Sequence, residues 1–109
     1  MDIRELTAEM NRFVSTRGWY DEQSPRPQTP RNLAISLSLE ASEVLEHFQW
    51  GELPDVDGEL KDELADVALY LLQIASVTGI DLETAILDKL KKNYQRKWDG
   101  IGPGTEVEK

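Results

Sequence analysis

Leu39-Glu40-Ala41-Ser42-Glu43-Val44-Leu45-Glu46-His47-Phe48-Gln49-Trp50, followed by Glu63-Leu64-Ala65-Asp66-Val67-Ala68-Leu69-Tyr70-Leu71-Leu72, decides the fold. Both runs repeat at helical spacing. In the first, Leu37, Ala41, Val44 and Phe48 continue an apolar arc begun by Leu33, while Ile35, Leu39 and Trp50 form a second arc. A helix that is apolar on two sides is packed on two sides, and Glu40 and Glu43 fall between the arcs. In the second run, Leu60, Leu64, Val67, Ala68, Leu71 and Ala75 make a core stripe. There Glu63 and Asp66 stand above Tyr70, Ile74 and Val77.

Working outward, the punctuation predicts four helices and an all-α four-helix bundle. The first spans about Asp2 to Thr16, capped by Asp2 with Glu5 in capping-box position, and its stripe is Ile3, Leu6, Met10, Phe13 and Val14. Gly18 ends it, and the Pro-containing segment from Trp19 to Thr29 reads as a loop. Thr29-Pro30 starts the second helix, which is expected to reach Trp50. After a turn region from Gly51 to Gly58, the third runs from about Gly58 to Thr78 and ends at Gly79. Asp81 caps the fourth, expected to reach Trp98 along Leu82, Ile86, Leu90 and Tyr94. One domain over residues 1–99 and a disordered tail over residues 100–109 are expected.

The 109 residues carry a formal charge of −9 and no cysteine. An acidic chain is poorly suited to nucleic-acid polymers or anionic membranes, and the lack of thiols excludes disulfides and thiolate metal sites. No apolar run approaches the ~20 residues of a membrane span. The charged N-terminus lacks the apolar stretch of a signal peptide, so a cytoplasmic location is expected.

The chemistry lies in Glu40-x-x-Glu43 and Glu63-x-x-Asp66. Carboxylates three apart on a helix point the same way, and antiparallel packing of consecutive helices lets four converge. Four anions stay ionised in a partly buried site only when a cation neutralises them; otherwise some take up protons. An all-oxygen set suits Mg²⁺, with Mn²⁺ an alternative. Iron carboxylate bundles carry Glu-x-x-His, and Glu43 and Asp66 stand at the corresponding positions. Glu46, Glu59 and Asp62 read as solvent-facing, His47 as a surface or edge residue, and Tyr70 and Tyr94 as core aromatics. Lys89, Asn93 and Lys97 line one stripe of the fourth helix with Arg96 beside it, offering cations and an amide to phosphate oxygens. Trp19 and Trp50 lie outside the regular apolar stripes, at opposite ends of the acid-bearing helix. Most single Glu-x-x-Glu pairs are only a solvated face, and a non-catalytic helical binding module remains the alternative.

The two quoted runs, together with Arg17-Gly18-Trp19, Pro30-Arg31-Asn32-Leu33, Lys89 and the segment from Asn93 to Trp98, resemble the all-α nucleotide pyrophosphohydrolases of the MazG type. Within them the chain is most similar to the short dCTP pyrophosphatase branch. The resemblance covers most of the chain. It implies hydrolysis between the α and β phosphates of a nucleoside triphosphate, giving a monophosphate and pyrophosphate. It implies metal carboxylates at Glu40, Glu43, Glu63 and Asp66, base-stacking tryptophans at Trp19 and Trp50, and phosphate-side groups at Lys89 and Asn93. The sequence departs from the pattern at Met10, where some dCTP-hydrolysing relatives carry histidine, and at Arg96-Lys97-Trp98-Asp99, where the usual ending is Arg-Lys-Tyr-Pro. The preferred base is therefore open, and another phosphorylated metabolite, such as a phosphoribosyl-ATP-like compound, is a second alternative. One carboxylate, Glu40 or Glu43, is expected to accept the proton of the attacking water. The surplus apolar face of the second helix predicts a homodimer or homotetramer.

Overall fold

The computed structural model describes residues 1–52 and 58–96. Over these residues it is all-helical: α1 (Ile3–Thr16), α2 (Pro30–Glu46), α3 (Glu59–Val77) and α4 (Leu82–Gln95). The caps are those the sequence announces. Asp2 accepts the Glu5 amide at 2.8 Å while Glu5 accepts the Asp2 amide at 3.3 Å, a complete capping box. Thr29 Oγ1 accepts the Asn32 amide at 3.1 Å ahead of Pro30. Behind α3, Gly79 takes φ +75°, and the Gly79 and Ile80 amides bond back to Ser76 and Ala75. That closure requires a left-handed residue, which glycine supplies at no steric cost.

α2 and α3 form an antiparallel hairpin. Gln28, just before α2, bonds Gln73 late in α3, and His47, just after α2, bonds Glu63 early in α3. α1 lies on α3, with Met10, Val14 and Leu72 buried together and Ile3, Trp19 and Leu82 packed around them. Burying side chains of this size contributes about 1.5–3 kcal/mol each. α4 leaves the axis of α3 at 103° and packs against α1. Arg4 fastens that contact, donating to Asp81 at 2.7 Å and to Glu83 at 2.7 Å.

Several expectations change. α2 stops at Glu46, so His47 to Trp50 lie beyond it and Trp50 is 91% exposed. α4 stops at Gln95; Lys97, Trp98, Asp99, the tail expected at residues 100–109, and residues 53–57 of the turn expected from Gly51 to Gly58 lie outside the described residues. The second arc of α2, with Ile35 and Leu39, stays exposed, as do Leu64 and Leu71 of α3. The α4 stripe is likewise open at Ile86, Leu90 and Tyr94, so Tyr94 (78% exposed) is not a core aromatic. The reason is the angle of α4, which turns its apolar side away from the hairpin. Among the described residues no single helix is long and apolar enough to cross a membrane.

Candidate active site

The hairpin places the second turn of α3 beside the second half of α2, near enough for the charges of Glu43, Asp66 and Glu63 to act on Glu40. The Glu40 carboxyl is held above the usual carboxylate range, first by burial, then by a hydrogen bond with Glu43 and by the charges of Glu43, Asp66 and Glu63. Glu40 Oε2 is sealed from solvent with no hydrogen-bond partner. A buried acceptor left unpaired among three other acids is a costly arrangement, and a divalent cation bound there would satisfy it. The residues present thus fit a metal of the oxygen-loving kind.

His47 is not a surface residue. Its Nε2 is hydrogen-bonded to Glu63 Oε2, and both side chains are only 18% exposed. The end of α2 at Glu46 explains this, because the following turn swings the imidazole over the start of α3. Glu59 joins them: one ligand atom each of His47, Glu59 and Glu63 lies within 4.8 Å of the others. Glu63 therefore belongs to two groups, the acids of the hairpin on one side and the His47–Glu59 pair on the other. Glu46, Glu59 and Asp62 are exposed as expected.

Asp66 also lines a cavity of about 670 Å³ between α1, the following loop and the hairpin. Trp19, Met10, Tyr70, Arg26 and Gln73 share that wall. The Trp19 and Phe13 rings meet T-shaped with centroids 5.8 Å apart, and the Arg26 guanidinium lies 5.8 Å from the centre of the Trp19 ring. Tyr70 is half-buried in this wall. The chain thus joins an aromatic cavity to an acid cluster through one residue. Sequence reasoning missed Gln73. Its signal was an amide set in the apolar run Leu71-Leu72-Gln73-Ile74-Ala75.

The cationic stripe lies elsewhere. Lys89 and Asn93 line a shallow apolar groove of α4 with Leu82, Ala85, Ile86 and Leu90. Arg96 caps the helix and is exposed, and Trp50 stands in solvent. None of the four lines the Trp19 cavity.

Residues 35–109 match the family model described as the MazG-like family. dCTP pyrophosphatase 1 of Homo sapiens is 38% identical over 104 residues, covering 87% of this chain and 56% of that protein. The dATP/dGTP diphosphohydrolase of Salmonella phage PMBT28 is 46% identical over 99 residues, covering 90% of this chain and 30% of that protein. The chain therefore spans about half the length, or less, of the curated relatives it matches. A crystal structure of a pyrophosphatase from Archaeoglobus fulgidus superposes with a TM-score of 0.70 at 36% identity, covering 88% of this chain and 91% of that one.

Proposed function

The chain belongs to the MazG-like family, and on that premise we propose that it hydrolyses the α–β phosphoanhydride of a nucleoside triphosphate. Water adds at phosphorus, and the products are a monophosphate and pyrophosphate. The observation that carries this reading is the double membership of Asp66, which stands in the acid cluster around Glu40 and in the wall of the Trp19 cavity. A base seated on Trp19 then has its phosphates led toward the acids. The names of the relatives, a dCTP pyrophosphatase and a dATP/dGTP diphosphohydrolase, support a nucleotide as substrate.

Glu40, Glu43, Glu63 and Asp66 would hold Mg²⁺, or Mn²⁺. When bound, the ion supplies charge neutralisation of the phosphates and a lowered pKa for the attacking water. Glu40 or Glu43 accepts the proton of that water. Trp19 offers a stacking face to the base, and Trp50 a second one. Lys89 and Asn93 of α4, with Arg96 and Lys97 after them in sequence, serve the phosphates. Because the described part of that helix points away from the hairpin, it serves the site of a neighbouring copy.

Two measurements test the reading. Hydrolysis of a panel of triphosphates should release pyrophosphate and monophosphate in equal amounts; inorganic phosphate with a diphosphate would mean attack at the γ position. Glu43→Ala and Asp66→Ala should remove turnover while keeping the helical circular dichroism signal. They should also remove the Mg²⁺-induced rise in melting temperature, a rise that corresponds to about 2.7 kcal/mol at a hundredfold excess over Kd. Near-parental turnover in either variant would sink the metal-site assignment.

A further inference from the structure

Gln73 is 4% exposed, yet it lines the Trp19 cavity. The two ends of an amide look alike in shape, but here a chain of hydrogen bonds fixes which end is which. Gln28 Nε2 donates to the backbone carbonyl of Arg26 at 2.7 Å, and a carbonyl can only accept. Gln28 Oε1 is therefore turned the other way, where it accepts from Gln73 Nε2 at 2.6 Å. Gln73 thus spends its nitrogen on Gln28, and among the described residues no hydrogen bond reaches its oxygen.

We propose that Gln73 Oε1 reads the nucleobase, accepting a hydrogen bond from an exocyclic amino group and so selecting cytosine- or adenine-type bases over their oxo counterparts. The assignment rests on the nucleotide reading of the site given above. A base with a carbonyl at that position sets acceptor against acceptor and leaves a buried polar group unpaired, which is how polar pockets reject close analogues. Gln28 is a positioning residue. It keeps the amide from turning over, and without it Gln73 can present N–H to an oxo base.

The test compares dCTP with dUTP and dATP with dITP, pairs that differ in the exocyclic group and, with it, in the proton on the adjacent ring nitrogen. For the parent, the better amino-bearing member should have a KM at least tenfold below its oxo partner. Gln73→Met should bring that ratio to near one with kcat little changed. Gln28→Leu, at a less buried position, should shrink the ratio chiefly by lowering KM for the oxo member, an effect that mere loosening of the fold would not produce. Parent ratios near one, or ratios that survive in both variants, overturn the proposal. Calorimetric binding of dCMP against dUMP, and dAMP against deoxyinosine monophosphate, separates it from the reaction itself. If no triphosphate is hydrolysed, the proposed reaction fails, while amino-selective monophosphate binding lost in Gln73→Met still upholds Gln73; unselective binding or none overturns it.

Discussion

His47 Nε2 is hydrogen-bonded to Glu63 Oε2, tying the turn after α2 to the acid-bearing turn of α3. One oxygen of Glu63 is thereby engaged and the other is left for a cation. Partners that orient a metal carboxylate in this way are worth roughly 10- to 100-fold in metal affinity or activity. His47→Ala is expected to weaken Mg²⁺ binding by that factor, read by the Mg²⁺ concentration that half-saturates the thermal shift, with kcat at saturating Mg²⁺ nearly kept. If His47 were a ligand, its nitrogen would favour transition ions, and the variant would lose Mn²⁺ selectively while keeping Mg²⁺. Equal Mg²⁺ affinity in parent and variant would remove the positioning role.

Trp19 and Trp50 should part company on substitution. Trp19 lies in the cavity, packed T-shaped against Phe13, whereas Trp50 stands 91% exposed. Stacking on a base is worth about 1–3 kcal/mol by alanine substitution. Trp19→Ala should raise KM for the best nucleotide by about tenfold to a hundredfold, with the metal requirement unchanged. Trp50→Ala should act only where a neighbouring copy covers that residue, so its effect on KM should fade on dilution into a dissociated form. Steady-state kinetics on both variants, with Trp50→Ala run at two protein concentrations, checks this.

The Arg4–Asp81 pair pins the start of α4 to α1 and gives a pH signature. The Arg4 guanidinium, with the Thr84 amide, holds the Asp81 carboxyl below its usual range. A carboxylate with a depressed folded-state pKa contributes stability that is present above its unfolded value. That stability is lost as pH falls through the folded value. Asp81→Asn keeps a side-chain oxygen for the helix cap and removes the charge. It should therefore lower the melting temperature at pH 7, and the difference from the parent should shrink below about pH 4. A difference that is constant down to pH 2 would mean that the cap, not the ion pair, was disturbed.

The sequence carried the caps, the four helices and the shared face within each pair of acids because each rests on local rules. Asp2 with Glu5, Thr29 with Pro30 and Gly79 each act within a turn of their own position, and Glu-x-x-Glu shares a face through helical geometry alone. What it did not carry depends on distance along the chain. His47 looked peripheral because the end of α2 at Glu46 brings it to a residue on another helix. Gln73 is a single polar residue in an apolar run and drew no reading, because its meaning depends on Gln28 in a loop far from it in sequence. The open face of α4 was invisible for the same reason. Its stripe of Leu82, Ile86, Leu90 and Tyr94 is a sound amphipathic pattern, but a pattern does not say which chain covers it.

That open face leads to the last prediction. Ile35, Leu39 and Leu45 of α2 and Leu87, Leu90 and Tyr94 of α4 are exposed together with Lys89, on helices that do not cover one another. Exposed apolar surface of this extent marks an interface, and a second copy of the chain has the matching surface. Light scattering at micromolar concentration should give a dimer or a tetramer. The stronger test asks whether the site is shared. If α4 of one copy supplies Lys89 and Asn93 to the acids of another, Glu43→Ala and Lys89→Ala damage different halves of each site. Each variant alone should be nearly inactive. Mixing them after dissociation and reassembly should produce some sites in which both halves are intact, and activity should return to a substantial fraction of the parent's. Should the mixture stay as inactive as its parts while forming the same oligomer, Lys89 serves its own chain's acids. A stable monomer with full activity would remove the assembly as well.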